Sequence, residues 1–80
     1  MLILATEDSW ITLEADGRNV FNSLLRHGEQ QTFRAREQFR FRSIGNAGGI
    51  EVSLNGVALP SLGSSGRVIH DRVFDRSSIP

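Results

Sequence analysis

Two imidazoles, nine arginines, one tryptophan and one glycine-rich loop are the groups with which this chain of 80 residues could do chemistry. It has no Cys, so a thiolate nucleophile, a disulfide framework and a cysteine metal site are excluded. All nine basic residues are Arg, which excludes Schiff-base lysines and the lysine of a phosphate loop. His70 is followed by Asp71, but neighbours in a strand point to opposite faces. A Ser-His-Asp relay needs all three groups within hydrogen-bond reach. Two isolated His, His27 and His70, with scattered carboxylates also make a poor zinc set. Glu7 and Asp8 sit at a strand junction, where turn formation suits them better than glycosidase work. The run Gly45-Asn46-Ala47-Gly48-Gly49 lacks the closing Gly-Lys-Ser/Thr and the following helix of a phosphate loop. Its glycines are expected to meet backbone needs, and Asn46 to tolerate left-handed geometry. No catalytic residue, cofactor or metal ligand is therefore expected.

The remaining candidates are binding residues. If Ile11 and Leu13 face a core, alternation puts Trp10 on the outer face with Thr12 and Glu14. A half-exposed Trp is a common anchor for a sugar ring or a partner protein. Two other placements stay open: Trp10 folded over the end of the domain, or turned inward by a bulge near Ser9. Arg34, Arg36, Arg40 and Arg42 form a second feature. With Glu37 they give residues 34–42 a charge of +3, in a chain whose formal net charge is zero. Such a ribbon suits wall carboxylates, acidic headgroups or an acidic partner. The competing reading is a solvated outer face paired across a hairpin to Glu51. Trp10, Arg34, Arg36, Arg40, Arg42 and Asn46 make up the candidate interaction surface.

These residues need a scaffold, and the sequence indicates an all-β one. A chain of this length buries roughly 60–65% of its unfolded surface, enough for one small core but rarely for a deep enzyme pocket as well. Its hydrophobic fraction is 39% and its charged fraction 22%, ordinary for a folded domain. The zero net charge gives no electrostatic case for nucleic acid. The early apolar run, residues 2–5, is too short to span a bilayer, so any membrane anchor is expected outside this chain.

The dominant period is two. Ile11, Leu13 and Ala15 alternate with polar residues, as do Phe39 and Phe41, and Ile50, Val52 and Leu54. Asp16-Gly17 and Asn55-Gly56 offer the positive φ angles of type I′ hairpin turns. The spacing predicts seven strands, at residues 2–6, 9–15, 19–25, 32–35, 38–43, 50–54 and 67–74. It favours a small antiparallel, Ig-like β-sandwich over residues 1–75, with a small β-barrel as the alternative and residues 76–80 as a frayed tail.

Three segments carry a family resemblance, in order along nearly the whole chain. They are LATEDSWITLEADGRNVFNSLLRHGE, FRAREQFRFRSIGNAGGIEVSLNG and GRVIHDRVF. Ser-Trp entering a strand, Gly-Asn-Ala-Gly and a closing Asn-Gly at these separations resemble the C-terminal domains of RodZ, a bacterial cell-shape family. The resemblance implies an extracytoplasmic β domain, on the periplasmic or cell-surface side. Its parent would carry one inner-membrane span and a cytoplasmic helix-turn-helix domain. It further implies a non-catalytic role in cell-shape maintenance, with envelope or wall-synthesis proteins as partners and no nucleic acid bound by this domain. Peptidoglycan is the alternative ligand, in a carbohydrate-binding module. A small enzyme and an oligonucleotide-binding barrel are weaker alternatives. An edge strand such as residues 2–6 would also be open to pairing between copies in a homodimer.

Overall fold

The computed structural model describes residues 1–75, and its regular structure is β-strand apart from one turn of 3-10 helix at Ala47–Gly49. The strands are β1 (Leu2–Ala5), β2 (Ser9–Ala15), β3 (Arg18–Leu25), β4 (Gln30–Thr32), β5 (Gln38–Ile44), β6 (Ile50–Leu54), β7 (Val57–Ala58) and β8 (Ile69–Asp75). They form two four-stranded antiparallel sheets, in the orders β4-β1-β6-β7 and β3-β2-β5-β8. The sheets do not close into a barrel, so the sandwich reading holds.

Period-two patterning makes the core. Ile3 and Ala5 of β1, with Ile50, Val52 and Leu54 of β6, supply one inner face. Ile11, Leu13, Phe41 and Ile44, all fully buried, supply most of the other. Phe41 meets Phe74 of β8 edge to face, with ring centroids 6.1 Å apart. Both hairpin turns form as their sequences require: Asp16 and Gly17, then Asn55 and Gly56, all take positive φ.

Four expectations need correction. The strand expected at residues 32–35 lies instead at Gln30–Thr32, because β1 pairs Leu2, Ile3 and Leu4 with Thr32, Gln31 and Gln30. Phe33 and Ala35 turn toward the core beyond the strand end. The described residues hold eight strands rather than seven, because Val57–Ala58 adds a two-residue rung to β6. The last strand begins at Ile69 rather than residue 67, where it meets Ile44. Finally, β1 is no edge: it lies between β4 and β6. The expected fraying of residues 76–80 lies outside the described residues. No helix among the described residues is long and apolar enough to cross a membrane.

Candidate functional site

The outer face of the β3-β2-β5-β8 sheet gathers most of the candidate residues. Trp10 lies on it, as alternation predicts, and is 47% exposed, with no bulge near Ser9 to turn it inward. Its indole Nε1 donates to Thr12 Oγ1 at 3.3 Å, which lays the ring along its own strand. Across the ladder Trp10 faces Leu24, itself exposed. On its other side Gly45 donates its N–H to the Trp10 carbonyl at 2.8 Å. A side chain at Gly45 would begin 3.4 Å from Trp10 Cβ, so the glycine leaves that flank of the indole open. Val68, exposed and one residue before Ile69, extends the row by alternation from the Ile44–Ile69 pair. Leu24, Trp10, Gly45 and Val68 thus make an apolar row across the sheet.

The next row is polar. Thr12 Oγ1 donates to Asn22 Oδ1 at 2.9 Å and accepts from Ser43 Oγ at 3.3 Å. Ser43 lies opposite His70. Hydroxyls, an amide and an imidazole therefore border the apolar row.

The third row carries charge. Between Thr12 and Leu13 the β2–β5 register shifts, leaving Arg42 and Ser43 together on the outer side. Asp71, at φ +55, has no rung to β5 at the same level, with β8 continuous on either side. Arg40 Nη2 meets Asp71 Oδ1 at 2.8 Å, while Arg42 lies 3.8 Å from Glu14 and 4.0 Å from Asp71. Arg40 and Arg42 are thus paired on the outer face, but with Asp71 and Glu14 and not with Glu51 as expected. Glu51 belongs to the other sheet, opposite Leu4.

Nor do the four arginines form one ribbon. Arg34 and Arg36 fall in the connection between β4 and β5, outside the strand that carries Arg40 and Arg42. There the Asp16 carboxylate accepts the backbone N–H groups of Arg36, Glu37 and Gln38 at 2.6, 2.7 and 3.1 Å. Those three donors, with the Arg36 charge, hold the Asp16 carboxyl below its ordinary range.

Asn46 is placed for structure. Its φ is −147°, so the left-handed role expected of it is not used. Its side chain instead ties three loops: Nδ2 donates to Glu7 Oε1 and the Asp8 carbonyl, and Oδ1 accepts the Gly66 N–H at 2.6 Å. Its own N–H donates to Ser9 Oγ, the one buried polar residue among those described. Ser65 Oγ donates to Glu7 as well, at 2.8 Å. A Cβ on Gly48 would overlap the backbone of Ser64 and Ser65, and one on Gly49 would lie 2.6 Å from Asn46 Nδ2. The glycine-rich loop is thus a clasp between β1–β2 and β7–β8.

The groups that raised catalytic readings are engaged elsewhere. Asp8 Oδ1 accepts the His27 N–H at 2.8 Å, and Asp71 is held by Arg40 rather than by His70. A groove of about 880 Å³ opens at one end of the sandwich, floored by Phe33, Phe39, Leu54 and Phe74; neither His lines it. Among the described residues no group of three His, Cys, Asp or Glu is placed to hold a metal ion.

Leu24 is the site residue that sequence reasoning missed, and its signal was distorted. Counting back from the Asp16-Gly17 turn puts Trp10 opposite Ser23, but a bulge at Val20 shifts the register by one and brings Leu24 there.

Two open antiparallel sheets, clasped at one end and bearing a half-exposed Trp in a mixed apolar and polar face, define a small β-sandwich domain. The chain belongs to the RodZ C-terminal domain family, whose family model matches residues 3–70, from β1 into the start of β8. Among curated proteins and among solved structures, nothing matches the chain.

Proposed function

We propose that this chain is the extracytoplasmic, non-catalytic interaction domain of a RodZ-like single-pass membrane protein that acts in bacterial cell-shape maintenance. Family membership supports the role. The observation that carries the interaction reading is Trp10: 47% exposed, flanked by Leu24 and open on its Gly45 side. Partial exposure of a large rigid ring on a packed sheet is the usual state of an interface anchor before its partner arrives. The partner is an envelope or wall-synthesis protein, docking with the apolar row at the centre and the charged row at the rim.

The test is a Trp10→Ala substitution in the full-length parent protein, in cells that depend on it. Rounded cells, with the variant still at normal levels and loss of photo-crosslinks from position 22 to envelope proteins, are expected. Rod-shaped cells with crosslinks intact would refute the face as the site of action.

A second reading has one observation of its own. The Thr12, Asn22, Ser43 and His70 row sets hydroxyl, amide and imidazole groups beside the indole, the arrangement with which a Trp holds a sugar ring. Saturable amide shifts centred on Trp10, with solubilised peptidoglycan fragments and absent in Trp10→Ala, would establish it.

A further inference from the structure

Of the four sheet edges among the described residues, three are short or charged. β4 offers three residues and β7 two, while β8 carries Asp71, Arg72 and Asp75 and a left-handed residue, Asp71 at φ +55. Short strands, bulges and charges are the usual devices against unwanted edge pairing. β3 is different: its eight residues, Arg18–Leu25, include no proline, lysine or acidic side chain. Past the bulge at Val20 its register against β2 is unbroken from Phe21 to Leu25.

The direction of its free backbone groups follows from one hydrogen bond. The Gly45 N–H donates to the Trp10 carbonyl, so the backbone polar groups of Trp10 face β5. Leu24 lies opposite Trp10. In an antiparallel ladder the two members of such a pair turn their N–H and C=O groups away from each other. Those of Leu24 therefore face the open edge, and by the period of two so do those of Asn22. Two donors and two acceptors stand in line there.

Charge indicates what pairs with them. Arg18 and Arg26 flank this stretch, and neither forms an ion pair among the described residues. A second copy adding antiparallel through the same groups would bring its own Arg18 and Arg26 to opposite ends, arginine beside arginine. A strand with acidic ends meets no such repulsion.

We propose that the free edge of β3 binds an extended segment of a partner protein, an alternating apolar–polar strand with acidic residues at both ends. Main-chain hydrogen bonds to Asn22 and Leu24 supply the pairing, and Arg18 and Arg26 select the ends. An apolar side chain beside Leu24 lengthens the Leu24–Trp10 row. This goes beyond the face reading and stands without it, because backbone groups carry the contact.

The test is a two-dimensional amide NMR titration of the chain with the peptide Glu-Glu-Val-Thr-Val-Thr-Val-Glu-Glu and its twin with Lys in place of every Glu. The largest shifts and slowed exchange are expected at Asn22 and Leu24, with the acidic peptide about tenfold tighter than its twin. The double variant Arg18→Glu/Arg26→Glu, which keeps the main-chain edge, reverses that order. Trp10→Ala, which removes the face proposed above, preserves it, so the two readings fail separately. Absence of shifts in β3 at millimolar acidic peptide would overturn the proposal. So would a preference that survives charge reversal, or shifts at Asn22 and Leu24 on diluting the chain alone, which would mark a second copy as the occupant.

Discussion

Arg40 holds one oxygen of Asp71 with two N–H groups, Nε at 3.2 Å and Nη2 at 2.8 Å. Asp71 takes φ +55 there, at the one level of β8 between His70 and Arg72 that has no rung to β5. Pair and backbone kink are therefore one device, and substitutions separate them. Asp71→Gly, which removes the pair and relaxes the backbone, should change stability by less than about 1 kcal/mol, since both side chains are well exposed. Asp71→Ala, which keeps a Cβ at positive φ, should lose about 1 kcal/mol more. Urea unfolding of both variants decides; equal losses would mean that the backbone angle costs nothing.

Trp10 and Phe41 should respond to very different degrees. Phe41 is fully buried, and Phe41→Ala should cost about 3–5 kcal/mol, most of the stability of so small a domain. Trp10→Ala, at a half-exposed site, should cost about 1 kcal/mol and leave the domain folded. Thermal melts of the two variants check this. A melt for Trp10→Ala as low as that for Phe41→Ala would make the indole a structural residue.

Gly48→Ala should destabilise by about 1–3 kcal/mol, because the new methyl has to push the backbone of Ser64 and Ser65 aside. Amide exchange should rise first in residues 64–67, where Ala47 and Gly48 donate to Arg67 and Ser64. A neutral result would show the loop giving way freely.

The Asp16 carboxyl fixes the sign of one pH effect. Its folded pKa lies below the unfolded one, chiefly through the N–H groups of Arg36, Glu37 and Gln38. In that window the unfolded chain binds more protons. The contribution is thus full above about pH 4 and lost as pH falls through the depressed folded value. Asp16→Asn, which also tolerates the positive φ of the turn, should flatten that part of the profile. Urea midpoints at about pH 3 and about pH 6 for both proteins make the comparison. Parallel losses on acidification would place the effect in other carboxylates.

What was legible in the sequence is what repeats locally. Alternation at Ile11–Ala15, Phe39–Phe41 and Ile50–Leu54 located the core strands, and Asp16-Gly17 and Asn55-Gly56 located both hairpin turns. β4 escaped because Gln30, Gln31 and Thr32 are all exposed and give no periodic signal; only pairing with β1 makes them a strand. The arginine ribbon looks continuous because residues 34–42 are continuous in sequence, yet Arg34 and Arg36 lie in the β4–β5 connection and Arg40 and Arg42 in β5. At Asn46 the sequence signal is tolerance of left-handed backbone, which the fold does not use. Its contacts run to Glu7, Asp8 and Gly66, and such long separations leave no mark on neighbouring residues.

The order in which the strands enter the two sheets bears on when the domain can form. β1 enters one sheet and β2 and β3 the other; β4 returns to the first, β5 to the second, and β6 and β7 to the first before β8 completes the second. Neither sheet is thus assembled from a contiguous stretch. A chain emerging amino end first, from a ribosome or through a narrow channel, has no half-domain to settle into. It lacks the covering of Phe41 by Phe74 until its last strand is out. Such a topology delays commitment, keeping the polypeptide threadable until nearly all of it has arrived.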